Sequence, residues 1–253
     1  MTISPAVRTV GVGSAPPVVV SDVTVARGRR RWRRVLLRTP WLTASDDLGA
    51  VLLEALAEVP DGAARPGDVV ALAEKVAVVT SGRVVEPRQP GALAKVLARA
   101  VRPVGNSCGL SLPAKMQYVI DDTGRARVVG AALAAAVSRP LGMRGVFYRM
   151  AGATARDLDG LRGAYTDELL PPLRPAEAAL LAHHLTSRVG RAVAIVDVND
   201  RGGTVRSAPA GGPDPTELLA LLADNPHGDC AQSTPVVLLR PLPPKVPRPR
   251  QPR

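Results

Sequence analysis

"GDVVALAEKVAVVTSGRVV", Gly67 to Val85, is the stretch on which the fold turns. Its β-branched apolar run reads first as a buried β-hairpin. Glu74 and Lys75 interrupt that run at its centre, and Ser81-Gly82-Arg83 closes it. A charged pair in such a place has two readings. It is either a hairpin tip standing in water, or a lysine that meets a phosphate or carboxylate as a point charge.

The flanking segments alternate strand and helix signals. "VLLRT" (Val35 to Thr39) predicts an opening strand. "SDDLGAVLLEALAEVP" predicts a helix with Ser45 as N-cap and Asp46 and Asp47 in the first turn, where the helix dipole favours acids. Its apolar Leu48, Leu52, Leu56 and Val59 recur at helical spacing, and Pro60 and Gly62 end it. Further on, "RPAEAALLAHHLTSRVG" predicts a helix from Pro175 to the Gly190 stop. "AVAIVDV" (Ala192 to Val198) reads as a fully buried strand. "DPTELLALLADNP" begins with Asp214 as N-cap, Pro215 at the first helical position and Glu217 three residues on, a capping box. "PVVLLR" (Pro235 to Arg240) predicts the closing strand. This mixture implies an α+β or α/β domain and excludes a repeat array or a bundle.

The chain has 253 residues, 46% of them hydrophobic, enough for a sizeable core, with only 2% aromatic, so the core rests on Val, Leu and Ala. The net charge of +11 is unevenly spread. Residues 1–40 carry +7 and residues 241–253 carry +4, which leaves the body neutral. A neutral body argues against a duplex-binding face and against nucleic acid as a partner. The run "RGRRRWRR" (Arg27 to Arg34) is either a solvated arm or an attachment to nucleic acid or acidic lipid. The predicted organisation is a basic, disordered arm at 1–34, one domain at 35–240, and a Pro-rich basic disordered tail at 241–253. Cys108 and Cys230 stand alone without metal or disulfide spacing. Together with the lack of a signal-like or membrane-spanning run, they predict a reduced, cytoplasmic setting and no membrane partner.

Chemistry-bearing residues gather in "VAIVDVNDRGG" (Val193 to Gly203). Polar groups at the carboxyl end of a buried strand are where open α/β sheets place ligands. Asn199 and Asp200 offer hard oxygen donors, and Gly202 and Gly203 let a phosphate approach the backbone. The alternative is an Asx turn that simply ends the strand. "ARDLDG" brings Asp157 and Asp159 as a second acidic loop. His183 and His184 are adjacent on a helix, so they cannot share a metal and read as one packed and one exposed residue. The loop "DNPHGDCAQSTP" is rich in hydrogen-bonding groups, with Asp224, Asn225, Gln232 and Thr234 as a candidate pocket wall.

Gly67 to Val85 resembles, without a gap, the N-terminal motif of the coenzyme F420-0:L-glutamate ligase (γ-glutamyl ligase) family, with Gly67, Asp68, Lys75, Gly82 and Arg83 on its pattern. "RTPWLTASDDL" looks like that family's lead-in to its first helix. "VAIVDVNDRGG" resembles its Asp-Thr-x-Gly metal loop, with Asn199 and Asp200 at the first two positions and Gly202 at the glycine. "DLDG" resembles its Val-Asp-Gly-Ser-Asn loop, with Asp159 at the acidic position. Ala73, Asn199, Leu161 and Arg162 depart from the family pattern and place the chain on a divergent branch.

The resemblance covers about residues 35 to 240 and implies a γ-glutamyl-ligase-like α+β fold with mixed or antiparallel sheets, flanking helices and an intertwined homodimer. It implies an amide-forming ligase that uses GTP, or ATP, with Mg²⁺ or Mn²⁺, to join a small-molecule carboxylate to an amino acid or amine through an acyl phosphate. In that scheme Lys75 and Asp200 are catalytic. Lys75, Gly82, Arg83, Gly202 and Gly203 meet the nucleotide phosphates, and Asp159, Asn199 and Asp200 ligate the metal. The alternative is a catalytically reduced protein that binds a nucleotide or metabolite on the same scaffold.

Overall fold

The structure is a computed structural model, and it describes residues 16–27, 30–61, 63–102, 109–160, 168–199, 202–228 and 234–243. Asp200, Gln232, Cys108 and Cys230 lie outside the described residues. The chain divides into two compact units, Met1–Ser81 with Leu173–Arg253, and Gly82–Pro172. The expected single domain at 35–240 is therefore interrupted by a second unit.

In chain order the first unit opens with β1 (Val18–Arg27), β2 (Arg30–Arg38), α1 (Leu48–Ala57), β3 (Val69–Ala73) and α2 (Glu74–Thr80). The second unit supplies α3 (Ala92–Ala100), α4 (Pro113–Thr123), α5 (Arg125–Ser138), α6 (Val146–Ala151), α7 (Ala153–Asp157), β4 (Asp159–Gly160) and β5 (Leu169–Leu170). The first unit then resumes with α8 (Pro175–Val189), β6 (Ala192–Asn199), β7 (Gly202–Ser207), α9 (Pro215–Leu221) and β8 (Val236–Leu242).

The six strands of the first unit form one mixed sheet in the order β1-β2-β8-β3-β6-β7. The fold class is α+β, as the sequence implied. Only β3 and β6 pair in parallel, from Val69↔Ala192 to Ala73↔Val196, and the other pairs are antiparallel. A parallel pair needs a crossover, and this one contains the whole of the second unit. Val69, Ala71, Ala194 and Val196 face a cluster with Leu218 and Leu221 of α9. The alternate residues, with their opposite orientation, look toward α1 and α8. The central strands are covered on both faces, which is why they read as unbroken apolar runs.

Three sequence expectations are corrected. Glu74 to Thr80 is helix, so Gly67–Val85 is a strand followed by a helix and no hairpin. The valines of this segment have high strand propensity, but the buried side of α2 takes Ala77, Val78 and Val79 as helix-face packing. Second, Val18–Arg27 and Arg30–Arg34 are strand and no disordered arm. Three of their arginines meet carboxylates: Arg33 bonds Asp22 at 2.6 Å, Arg30 bonds Glu217 at 2.9 Å, and Arg34 is bidentate to Asp224. Third, Asp47 rather than Ser45 caps α1, accepting from the Gly49 and Ala50 amides. At α9, Asp214 accepts from the Glu217 amide at 2.8 Å as expected. The Glu217 carboxylate, however, reaches across to Trp32 Nε1 and Arg30, so the reciprocal half of the capping box is exchanged for a tie to β2.

The second unit is mainly helical. Met116, Val119 and Ile120 of α4 pack with Ala94, Val128 and Ala155 in its core. Beside β5 the chain makes one further bridge, Val85↔Leu169, with both amide bonds at 2.9 Å. Among the described residues no helix is long and apolar enough to cross a membrane.

Candidate functional site

β3 and β6 end side by side, and their carboxyl ends carry the polar residues that the sequence singled out. After Ala73 the backbone turns directly into α2, with extended φ and ψ at Ala73 and no side-chain cap. Glu74 occupies the first turn, where a carboxylate opposes the helix dipole's positive end. It is nearly enclosed, at 6% exposure. Its Oε1 accepts the Leu173 amide at 2.7 Å, and its Oε2 accepts Arg206 Nε from β7 at 2.9 Å. Arg206 also stands 3.7 Å from Asp197 Oδ2 on β6. One guanidinium therefore serves two carboxylates. Burial raises the Glu74 pKa, with Asp197 adding to the rise and Arg206 and the Leu173 amide opposing it.

Lys75 follows on α2 and is exposed. Asn199, at the last position of β6, is exposed as well and pairs with Gly202 across the β6–β7 ladder. Lys75 and Asn199 thus leave the sheet at one edge. Strand alternation puts Asp197 and Asn199 on the same face of β6. The register explains the charged interruption at Glu74-Lys75: the first residue is an internal anchor and the second is presented outward.

The glycines divide by cause. A Cβ on Gly203 would lie 2.7 Å from the Asp197 carbonyl oxygen and 3.0 Å from Leu219, so close packing requires glycine there. Gly202 has φ 133, with open space around its missing Cβ. Gly82, at φ 64, lets the backbone leave α2 in the left-handed region. Arg83 beyond it is half-buried.

Asp159 belongs to the second unit, half-buried in β4. There the buried Lys115 ammonium packs over the neighbouring Gly160, so close that a Cβ on this glycine would lie 3.2 Å from Nζ. Glu168, just before β5, has its pKa raised by burial and by Glu86. His183 and His184 are both exposed, so neither is packed as expected.

The loop read as a pocket wall is an internally bonded corner. Thr234 Oγ1 donates toward the Pro226 and His227 carbonyls, 2.9 Å from each. Asn225 adopts φ 49, and Asp224 closes on Arg34, which holds its pKa below the usual carboxylate range. His227 is buried, with Nδ1 3.1 Å from the Thr234 carbonyl, the arrangement of a neutral ring donating from that nitrogen. Burial depresses its pKa to about 4.

A divalent cation was the chemistry expected at this edge. The described donors of the first unit are the neutral amide of Asn199 and the carboxylate of Asp197, which already faces Arg206. A cation would compete with that guanidinium, and Mg²⁺ asks for near-octahedral oxygen coordination. Among the described residues no group of three or more His, Cys, Asp or Glu side chains could hold a metal. These donors alone do not fit the ion.

Sequence reasoning missed Glu74, Asp197 and Arg206 as a set. The available signal was the odd carboxylate in each of two apolar strand runs, with an arginine in the following strand. No family model matches the sequence, and no curated protein matches it.

Proposed function

We propose that the chain is an amide-forming ligase of the γ-glutamyl type, which activates a small carboxylate with GTP or ATP and passes the acyl group to an amine. The observation that supports this reading is the parallel pairing of β3 with β6, which brings Lys75 and Asn199 to one sheet edge. Such an edge is where α/β sheets bind ligands. In this chemistry a carboxylate oxygen attacks the terminal phosphorus and the nucleoside diphosphate leaves. The amine then displaces phosphate from the acyl carbon and loses a proton. Lys75 offsets charge on the transferring phosphoryl group, and Glu74, held by Arg206 and Leu173, fixes the start of the helix that carries it. Mg²⁺ or Mn²⁺ enters as a variable of the test, since the described donors do not account for its site.

A homodimer accompanies this reading. Leu133 and Val137, one turn apart on α5, and Leu141 just beyond it are 64%, 72% and 74% exposed. Apolar groups clustered at such exposure mark association surfaces. A second reading, a metabolite-binding protein without turnover, is favoured by Arg206 occupying the carboxylates beside Asn199.

Calorimetric titration of GTP and ATP with and without Mn²⁺ separates the two. The ligase reading expects metal-dependent nucleotide binding, weakened about tenfold or more by Lys75→Ala and by Asp200→Ala. Metal-indifferent binding supports the second reading, and no binding of either nucleotide sinks the ligase reading.

A further inference from the structure

The opposite end of the sheet, where β3 and β6 begin, is built around a buried ion-pair cluster. Asp68, immediately before β3, is bidentate to Arg240 with both contacts at 2.8 Å, and Arg191 approaches to 3.8 Å. Two guanidinium groups face one carboxylate. Next to them lies a cleft of about 440 Å³ lined by Arg30, Arg31, Gly67, Gly211, Gly212 and Pro241. Among the described residues no acidic side chain lines it. Arg30 gives one nitrogen to Glu217 and remains 71% exposed at the rim. Arg31 lies cross-strand from Leu242, is half-buried, and has no carboxylate partner among the described residues. A half-buried guanidinium in a wall without carboxylates is a standing site for an anion.

The remaining walls set the shape. Gly67 and Gly211 adopt φ 85 and 75, and a Cβ on Gly67 would lie 2.9 Å from Pro241 Cγ. One side of the cleft is therefore bare backbone. Pro213, Pro241 and Leu242 give the other side an apolar surface. The volume suits a metabolite rather than a polymer.

We propose that this cleft binds a small phosphate- or carboxylate-bearing metabolite with an apolar portion, its anionic group held by Arg31 with Arg30 at the rim. The site lies at the other end of β3 from Lys75 and is independent of the ligase reading.

The test titrates the full chain with pyrophosphate and, separately, with malonate, following the amide resonances of Gly211 and Gly212 together with calorimetric affinity. At least one anion is expected to shift those amides saturably, and the better one identifies the headgroup class. Arg31→Ala and Arg31→Gln should weaken binding about tenfold or more, while Arg38→Ala leaves it within about twofold. The proposal is overturned if neither anion moves the glycine amides, or if Lys75→Ala abolishes the effect. It is also overturned if Arg38→Ala weakens binding as much as Arg31→Ala, which is the behaviour of diffuse surface charge. Mapping the shifts in the unmodified protein decides the location even if an arginine variant folds poorly.

Discussion

Asp68 and Glu74 flank the same five-residue strand, and both are buried carboxylates, at 3% and 6% exposure. At the amino end, Asp68 has two arginines. Arg240 is also tied to the Asp61 and Ala63 carbonyls, and the Arg65 amide donates to Asp68 Oδ2 at 3.0 Å. At the carboxyl end, among the described residues, Glu74 shares Arg206 with Asp197. The first arrangement locks a loop against the sheet. The second gathers two carboxylates on one guanidinium, with Lys75 next in the chain. The same residue chemistry thus builds a plug at one end of a strand and a shared ion pair at the other.

The most damaging way to break the comparison is Asp68→Ala, which strands Arg240 in the interior without its anion. The expected loss is about 3–5 kcal/mol of unfolding free energy, read from urea denaturation. A loss near that of an ordinary surface substitution would mean that the amino end is not the locked one.

Acid should act next, from the carboxyl end, where His227 packs under Thr234 and the Pro235 carbonyl accepts the Ala73 amide. The native ring titrates at about 4 and an unfolded one near 6.5. Between these values the unfolded chain binds the extra proton, so stability is lost as pH falls through that window. The full drop is about 3 kcal/mol. His227→Gln should flatten this part of the stability–pH curve, and an unchanged slope would assign it to other groups.

Glu74→Gln sharpens the contrast by its smallness. Glutamine still accepts the Leu173 amide, and Asp197 remains for Arg206, so the expected cost is about 1 kcal/mol. Because the native pKa of Glu74 is raised, the folded state holds the proton longer. Wild-type stability therefore declines as pH rises from the ordinary glutamate value through the raised one, and the glutamine variant lacks that decline. A cost matching that of Asp68→Ala would erase the difference between the two ends.

Elements with strong punctuation were legible in the chain itself. Pro175 and Gly190 bracket α8, Asp214-Pro215 opens α9, and the apolar runs at 192–198 and 235–240 are β6 and β8. Three features were hidden. The valines of α2 imitate a strand, since composition in a seven-residue window cannot weigh a buried glutamate anchored on a β7 arginine. The valine–polar alternation of β1 was masked by the arginines that follow it, whose acidic partners lie up to 190 residues away. In the second unit, α5 has weak apolar periodicity because it buries Ala131 and leaves Leu133 and Val137 outside. At the candidate edge, Lys75 and Asn199 were found because they look outward. Glu74, Asp197 and Arg206 were not, because their pairing exists only once β6 and β7 are laid beside β3.

The parallel contact between β3 and β6 also dictates an order of assembly. About 120 residues separate Ala73 from its first parallel neighbours, so that ladder closes a long loop and comes late. During synthesis the helical insertion leaves the ribosome before β6 exists, and must reach its own core without the sheet as a template. The Leu173 amide, donated to Glu74, ties the returning chain to the start of α2 just ahead of that crossover's last helix.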